Sequence, residues 1–501
     1  MKNLNNSRIP DESISKNPIA RLFQHSAIYS LSTSVQRLQG LIMTPIYTSA
    51  IYLPEMSEYG NYGLIYTFIA FMNFVYLYGM DSAFLRYFFL GKSDRKTVFS
   101  TTFFTLLISG LVTSLLLIIF ANPVSRFILF SPELGEFIRL AALILFIDSL
   151  GNLPYLILRS EERPVSFTVF RMMRFVIELL LNILFVVLLR KGVHGILYAN
   201  ILAAFINLVI MLPYTGRYLS MKFDRSLLTE MVRFGLPFLP NGIAFMTIEM
   251  VDRFLVTDFL GKEVVAFYHA NYKFATILLL LIIGFRNAWQ PFFLKISKEK
   301  DAPIIYARVL NYYLLAAAIV VVFVTLFIRD LLTIRYFDAF YLLDPRYWTG
   351  IIFIPMIILS YYFYGVYVIF TPAFYIKKKS SYMIIFTGTG AALNIILNFW
   401  LLPAIGIWGA VVATVAAYAV MMVSIILFAQ KIYPIPVRIL NFLWLFLIIG
   451  LVYLCYYIID LNIWLRMILF LLFLAVSWNI VLSFPEKATI KEKITNLVKI
   501  K

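Results

Sequence analysis

Cysteine is almost missing from this sequence: Cys455 is the only one in 501 residues. A lone cysteine excludes a framework of intramolecular disulfides and any zinc site built from several cysteines. Charge is scarce as well, because 14% of the residues are charged whereas 62% are hydrophobic, with a mean hydropathy of +0.87. A water-soluble domain of this length would not have enough polar residues to cover its surface. The composition therefore predicts a protein whose surface faces lipid.

The N-terminal segment lacks the apolar stretch of a cleavable signal peptide. Residues 1–20 are polar and contain Pro10 and Pro18, so we expect the first membrane span itself to direct insertion. The formal net charge is +17, which in a soluble protein would suggest a nucleic-acid partner. Here the cations lie mostly in short segments between apolar runs, and we therefore predict no nucleic-acid partner.

Apolar runs of about 20 residues, the length that crosses a bilayer as a helix, recur along the chain. They predict an all-α polytopic membrane protein with about fourteen transmembrane helices. We number these spans 1 to 14, near residues 22–45, 61–84, 98–120, 137–157, 167–189, 194–213, 232–258, 264–289, 306–328, 348–371, 381–402, 406–429, 439–459 and 463–484.

Lysine and arginine are distributed unevenly between the loops that join these spans. With the N-terminus inside, thirty of the 43 Lys and Arg residues fall in alternate loops and the two tails. At most nine fall in the opposite loops, and four lie within spans. Because cytoplasmic loops of membrane proteins carry the excess of positive charge, this distribution predicts that both termini are cytoplasmic.

Spans 2 and 8 resemble each other at both ends. Gly60-Asn61-Tyr62 matches Ala266-Phe267-Tyr268 at the start, and Gly79 matches Gly284 near the end. Because transporters are often duplicated helix bundles, we predict that spans 1–6 and 7–12 are two copies in the same orientation. The predicted organisation is a cytoplasmic tail (1–21), a first six-helix bundle (22–213), a cytoplasmic linker (214–231), a second six-helix bundle (232–429), spans 13 and 14 (439–484) and a cytoplasmic C-terminal tail (485–501).

Three cations inside spans mark the candidate substrate site, because a charge near the bilayer centre costs at least about 2.5–3.5 kcal/mol. Arg37 in span 1 and Lys273 in span 8 have no acidic residue on their own helices. If the two bundles face each other, these residues and Arg253 of span 7 converge on one cavity. Such a cavity suits a phosphate or pyrophosphate. The alternative is that the cations pair with distant acids such as Asp148 or Glu178.

Acidic residues within spans are the candidates for coupling transport to protons or sodium ions. The i,i+4 spacing lets Glu249 pair with Arg253 on one helical face. Asp252 would then remain free to answer another cation or to bind a coupling ion. Asp148 in span 4 has no cation within a turn of its helix, and it is a second candidate for ion coupling.

Tyrosine is abundant, with 32 residues. Tyrosine rings stack on sugar faces and their hydroxyls bond sugar hydroxyls, so Tyr29, Tyr361 and Tyr364 are candidate sugar contacts. Packing or anchoring at the membrane interface is the alternative role of these side chains. We predict no catalytic residue, no metal site and no cofactor other than a coupling ion, H⁺ or Na⁺.

Two groups of motifs resemble the polysaccharide biosynthesis family of oligosaccharide flippases. They are Tyr59-Gly60-Asn61-Tyr62 and Gly79-Met80-Asp81-Ser82-Ala83 near span 2, and Phe234-Gly235-Leu236-Pro237, Asp252-Arg253-Phe254 and Ala288-Trp289-Gln290-Pro291-Phe292-Phe293 near spans 7 and 8. This family belongs to the MOP exporter superfamily, together with the multidrug MATE exporters and the lipid II flippases. The resemblance implies two six-helix bundles that work by alternating access.

The resemblance also implies a cargo: an undecaprenyl-diphosphate-linked oligosaccharide, moved to the periplasmic leaflet of the bacterial inner membrane for O-antigen, capsule or exopolysaccharide assembly. It places Arg37, Arg253 and Lys273 where such flippases have cavity cations. The implied partners are this anionic lipid-linked sugar, membrane lipids, a polysaccharide polymerase and glycosyltransferases. The transporter itself is expected to be a monomer and not an enzyme.

Three other functions compete with this interpretation. A lipid II flippase for peptidoglycan has nearly the same chemistry and is poorly separated by sequence. A MATE-type multidrug or cation antiporter would need an acidic or apolar cavity, whereas Arg37 and Lys273 indicate an anionic ligand. A membrane glycosyltransferase or polymerase would need paired carboxylates in a sizeable loop, and the longest outside loop, 329–347, has no nucleotide-sugar or metal motif.

Overall fold

A computed structural model of the protein describes residues 39–90, 93–161, 163–336, 340–377, 379, 382–459 and 461–481. Within these ranges, eleven helices are long and apolar enough to cross a membrane. Spans 5 and 14 are helical as well, and the short helix Thr44–Thr48 is the end of span 1. The prediction of an all-α polytopic membrane protein is confirmed.

The helices follow the predicted spans closely. Spans 2 to 6 are Met56–Leu77, Arg95–Ile119, Gly135–Gly151 continued by Leu153–Ser160, Pro164–Asn182 continued by the π-helical Ile183–Leu188, and Gly192–Tyr218. Spans 7 to 14 are Phe238–Leu260, Lys262–Ile296, Ala302–Thr333, Ile354–Phe370, Tyr382–Ile405, Ile407–Ile432, Ile439–Ile458 and Ile463–Val481. Short helices lie at their ends: Met80–Leu90, Ala121–Ile128, Pro132–Leu134, Arg225–Gly235, Pro345–Phe353 and Pro372–Ile376. A small antiparallel hairpin, Arg335–Tyr336 with Phe340–Tyr341, follows span 9.

Local chemistry fixes the break before span 7. The helix Arg225–Gly235 begins at Asp224, whose side chain accepts hydrogen bonds from the backbone N–H groups of Ser226 and Leu227 and so satisfies donors that have no partner within the helix. It ends just before Pro237. Proline has no N–H to continue the hydrogen-bond ladder of the first helix, although Leu236 and Pro237 keep helical dihedrals as the backbone passes into span 7.

The two halves of the chain pack their spans in the same pattern. Span 4 contacts spans 2, 3 and 6, just as span 10 contacts spans 8, 9 and 12. Span 5 packs on span 6 as span 11 packs on span 12. Spans 4 and 10 are also the most enclosed of the eleven candidate membrane helices. A constant offset of six spans supports the internal repeat predicted from the ends of spans 2 and 8.

Spans 13 and 14 lie on the outside of the second half. Both pack against span 9, and they expose large apolar side chains such as Leu440, Trp464 and Leu471. In a membrane protein such surfaces face the hydrocarbon of the bilayer, which is as apolar as leucine.

Span 2 joins the halves by packing against spans 7 and 8. Glycines allow the close approach at both of its ends. A Cβ on Gly60 would overlap the carbonyl oxygen of Lys262, and a Cβ on Gly79 would overlap the carbonyl oxygen of Gly235. Gly79 also has a φ of +80°, which favours glycine because it lacks a Cβ. The end of span 2 at Gly79, on the predicted cytoplasmic face, is therefore sealed backbone to backbone.

We expect Gly79→Ala to lower the unfolding free energy by about 1–3 kcal/mol, because the added methyl group overpacks this contact. Gly216→Ala is the control, since Gly216 lies in span 6 with no atom near the position of its missing Cβ. That change should be neutral or slightly stabilising, because alanine favours helix. Thermal unfolding in detergent compares the two variants, and equal melting temperatures would contradict the contact.

Candidate functional site

Lys273 lies where span 8 packs against span 2, inside a group of tyrosines. Its ammonium donates a hydrogen bond to the hydroxyl of Tyr62, 3.3 Å away. The Nζ atom also lies 4.7 Å from the ring centroid of Tyr62, 5.3 Å from that of Tyr59 and 5.8 Å from that of Tyr47. No carboxylate of the described residues lies within 4.0 Å of this ammonium. We call Lys273 and these three tyrosines the lysine cage.

Helix spacing and a glycine build the lysine cage. Tyr59 and Tyr62 are three residues apart on span 2, and His269 and Lys273 are four apart on span 8, so each pair shares one helical face. Gly63 makes room for the His269 ring, because a Cβ there would lie only 3.0 Å from the imidazole Cγ. The two helices therefore approach closely enough for span 2 aromatics to surround a span 8 cation.

The lysine cage uses only part of the hydrogen-bonding capacity of its ammonium. A cation–π contact contributes about 0.5–2 kcal/mol, depending on how dry the site is. A charge inside a bilayer costs at least about 2.5–3.5 kcal/mol. Contacts with three rings are together of the same order as that cost, but the ammonium keeps donors that the described residues do not use. An anion would complete the site.

Arg253 of span 7 lies next to the lysine cage in a closed ionic network. Its Nη1 donates to Asp252 Oδ1 at 2.8 Å, and its Nε donates to His269 Nδ1 at 3.3 Å. The guanidinium lies 4.3 Å from the ring centroid of Tyr272. Asp252 accepts a further hydrogen bond from Tyr268 at 2.5 Å. Asp252 is fully buried and Arg253 is 3% exposed, so the pair is shielded from water. Tyr268 and His269 connect it to span 8.

Glu249 extends the network to spans 10 and 12. Its carboxylate accepts hydrogen bonds from Tyr361, at 3.1 Å, and from Tyr418. Its backbone carbonyl accepts one from Arg253 Nη1. Arg253 thus forms its ion pair with the adjacent Asp252, so the prediction from the i,i+4 spacing that Asp252 is free is wrong.

The two tyrosines of span 10 that sequence reasoning selected as sugar contacts are both engaged by charged groups. Tyr361 is fully buried and donates to Glu249. Tyr364 accepts a hydrogen bond from Arg286 Nη1 at 3.0 Å and packs on the ring of Tyr418. In this conformation neither ring is open to a ligand.

Asp148 belongs to a separate polar network in the first half. Its Oδ1 lies 2.7 Å from Nη2 of Arg174, across from span 4 to span 5. Nearby, Arg171 donates to Asn152 at 3.2 Å and lies 4.0 Å from the ring centroid of Tyr155. Asp148 therefore has a cationic partner that its own helix does not supply.

The structure brings together six of the predicted site residues, including Tyr364 through its contact with Tyr418, and separates one. Arg253, Asp252, Glu249 and Tyr361 form one connected network, and His269 links it to Lys273. Asp148 lies in the first half. Arg37 and Tyr29 lie outside the described residues.

His269 is the residue that sequence reasoning missed. It accepts from Arg253 at Nδ1, so its proton is on Nε2, which is buried without a partner among the described residues. Its position four residues before Lys273, on the same helical face, was the available signal.

Comparison with known families gives one match. The family model described as polysaccharide biosynthesis protein matches residues 53–338, which include span 2, Lys273 and the Asp252–Arg253 pair. No curated protein sequence matches the chain.

Solved structures with the same fold are distant in sequence. An inward closed lipid II flippase, MurJ, superposes with a TM-score of 0.68 at 16% identity, covering 90% of this chain and 98% of that one. An inward-facing multidrug resistance MATE transporter of the MOP superfamily gives 0.64 at 16% identity, covering 81% and 97%. A MOP transporter from Pyrococcus furiosus, described as having a binding pocket of reverse polarity, gives 0.57 at 16% identity, covering 82% and 94%. At this identity the likeness shows the fold.

We expect Asp252→Asn to lower the unfolding free energy by about 3 kcal/mol, because removing one charge of a buried pair leaves the other uncompensated. Glu136→Gln is the control, since it removes the exposed contact of Glu136 with His194, 3.4 Å long, and should change stability by about 0–1 kcal/mol. Unfolding in detergent measures both. Equal effects would mean that the Asp252–Arg253 pair is not a buried ionic link.

Proposed function

Because the chain belongs to the polysaccharide biosynthesis protein family, we propose that it is a flippase for an undecaprenyl-diphosphate-linked oligosaccharide, exporting it across the bacterial inner membrane for surface polysaccharide assembly. Family and fold support a membrane transporter rather than an enzyme. One observation carries the anionic cargo: the Lys273 ammonium lies between the two halves without a carboxylate among the described residues.

A pyrophosphate fits the chemistry of the lysine cage. Its oxygens would accept from the donors of Lys273 that the described residues leave unused, and a hydrogen bond to a charged group contributes about 1.5–3 kcal/mol. Tyrosine hydroxyls beside the ammonium would bond the first sugar. An organic cation, the cargo of a multidrug antiporter, would be repelled by Lys273. Lipid II carries the same pyrophosphate, and the family match favours the oligosaccharide over it.

We assign Arg37 and Arg253 to the same site as additional cations. Arg253 is joined to the lysine cage through His269. It would contact the cargo only after exchanging Asp252 for a phosphate oxygen, which links cargo binding to the contact between spans 7 and 8. Glu249, Asp252 and Asp148 remain the proposed carboxylates for H⁺ or Na⁺ coupling.

A groove for the lipid tail accompanies the proposed headgroup site. It lies between spans 8 and 9, has a volume of about 390 Å³, and is apolar. Leu278, Leu281 and Phe285 of span 8 and Ala316 and Val320 of span 9 line it. Span 8 carries both Lys273 and one wall of this groove, so one helix would contact headgroup and polyprenyl tail.

Alternating access requires, at each membrane face, a contact that closes the path to the site and can open. The backbone contact of Gly79 with Gly235 closes the predicted cytoplasmic face. On the predicted periplasmic face, Arg346 of the second half donates to three carbonyls of the first: Pro54 at 2.6 Å, Thr48 at 2.8 Å and Leu53 at 3.3 Å. Asp344 holds Arg346 Nε at 3.0 Å. We call this contact the Arg346 latch and propose that it releases when the cargo leaves.

We expect Arg346→Ala to open the predicted periplasmic face. A reporter, Thr48→Cys in a Cys455→Ser background, would be buried beneath the latch, since Thr48 is fully buried. A membrane-impermeant maleimide should label it about tenfold faster or more, because hydrogen bonds to a charged donor contribute about 1.5–3 kcal/mol each. Arg335→Ala, which removes an exposed arginine of the same face, is the control. Unchanged labelling after Arg346→Ala would remove the latch from the mechanism.

We expect Lys273→Met to reduce export about ten- to a hundredfold, the equivalent of losing one charge-assisted hydrogen bond to the cargo. The measurement is the amount of lipid-linked oligosaccharide retained in the cytoplasmic leaflet, together with surface polysaccharide, in cells that depend on this protein. Lys273→Arg keeps the charge and should retain partial export.

Lys295→Met is the matched control, because Lys295 is an exposed lysine on the same helix. It should export normally. Full export by Lys273→Met, at normal protein abundance, would refute an anion-binding role for the lysine cage.

A further inference from the structure

A polar cavity lies apart from the lysine cage, between the ends of spans 9, 10, 13 and 14. Its volume is about 870 Å³. Its polar and aromatic lining includes Arg329, Trp348, Tyr456 and Arg466. All four helices reach the same membrane face here, the predicted periplasmic one. We propose that this cavity binds the phosphate headgroup of an anionic membrane lipid.

Among the lining residues that the structure describes, the charges sum to a positive value, because the two arginines, Arg329 and Arg466, are accompanied by one carboxylate, that of Asp330. Arg466 pairs with Asp330 through two hydrogen bonds, Nη1 to Oδ2 at 2.6 Å and Nη2 to Oδ1 at 3.1 Å. This pair uses the one carboxylate found among the described lining residues. Arg329, the residue before Asp330, is exposed and has no carboxylate within 4.0 Å in the part of the chain that the structure describes. One guanidinium is therefore left for an anion.

The pair with Asp330 also orients Arg466 without saturating it. Besides Asp330, Nη1 donates to the carbonyl of Leu326 at 2.9 Å. The Nε atom has no acceptor among the described residues. Arginine presents five N–H donors in a rigid fork that matches phosphate oxygens. A phosphate bridging Arg329 and Arg466 would meet two guanidinium groups, one of them already held in place.

Aromatic side chains form the rest of the polar wall. Trp348 donates to the carbonyl of Leu343 at 2.9 Å, and Tyr457 to that of Ile352 at 2.8 Å, so both rings are fixed. The hydroxyl of Tyr456 makes no hydrogen bond among the described residues, and its ring packs on Tyr457 with centroids 5.1 Å apart. Tyrosine and tryptophan favour the boundary between hydrocarbon and headgroups, where the ring is apolar and one end is wet.

The rim of the cavity favours a lipid over a soluble anion. Ile352, Ile458 and Ile459 line it and are 42%, 72% and 52% exposed. These side chains lie at the ends of membrane helices, where acyl chains would cover them. A free phosphate or a soluble sugar phosphate would gain nothing from the rim, whereas a lipid would contact cationic wall and apolar rim together. The site does not depend on which cargo the lysine cage takes.

Binding to the purified full-length protein in detergent tests the proposal. Phosphatidylglycerol with a photoactivatable acyl chain is crosslinked to the protein, and labelled peptides are mapped, so that lipids on the basic opposite face are counted separately. We expect labelling of residues 440–466 and 326–352, and competition by phosphatidylglycerol or undecaprenyl phosphate but not by phosphatidylcholine. Arg329→Gln should weaken this labelling about fivefold or more, since a charge-assisted hydrogen bond is lost.

Arg335→Gln is the control, because Arg335 is an exposed arginine close by that does not line the cavity. It should label as the unmodified protein does. Equal labelling by Arg329→Gln, or equal competition by phosphatidylcholine, would overturn the proposal. Competition by inorganic phosphate at the concentration at which the lipids compete would also overturn it, because it would identify a site for a soluble anion.

Discussion

The scarcity of water around buried charge is the constraint on which this structure depends. Each charged side chain within the spans must find a partner in the protein, because lipid offers none. Asp252 holds Arg253, and Asp148 holds Arg174. Lys273 and Arg286 have no carboxylate partner among the described residues: Lys273 has aromatic rings and the Tyr62 hydroxyl, and Arg286 donates to the Tyr364 hydroxyl. Of these two, Lys273 lies where the two halves meet, since it donates to Tyr62 of span 2.

Span 2 connects this site to both faces of the membrane. One end seals against Gly235 through Gly79, and the other packs on span 8 through Gly60 and Gly63. At the same end as Gly60 and Gly63 it supplies Tyr59 and Tyr62 to Lys273. A shift of span 2 relative to spans 7 and 8 would alter the two closures and the lysine cage together, which is the coupling that a transporter needs between cargo and access.

The residues around the site show where helix spacing succeeds and where it fails. The apolar runs around Lys273 and Glu249 predicted correctly that both residues lie within spans. Helix spacing suggested that Glu249 would neutralise Arg253, but the Glu249 carboxylate accepts from Tyr361 and Tyr418 of other spans. Asp252 takes Arg253 instead. Competition from neighbouring helices overrides a rule measured on single helices.

By itself, the sequence determined that the chain is an all-helical protein with many membrane spans, because crossing a bilayer requires about 20 apolar residues whatever the neighbours are. It also identified the charges that had to be explained. Only the tertiary structure decided which of them are paired, because partners come from helices far apart in the chain: Asp148 from span 4 with Arg174 from span 5, and Tyr62 from span 2 with Lys273 from span 8. Ion pairing depends on distances of a few ångströms, and those are set by packing between helices.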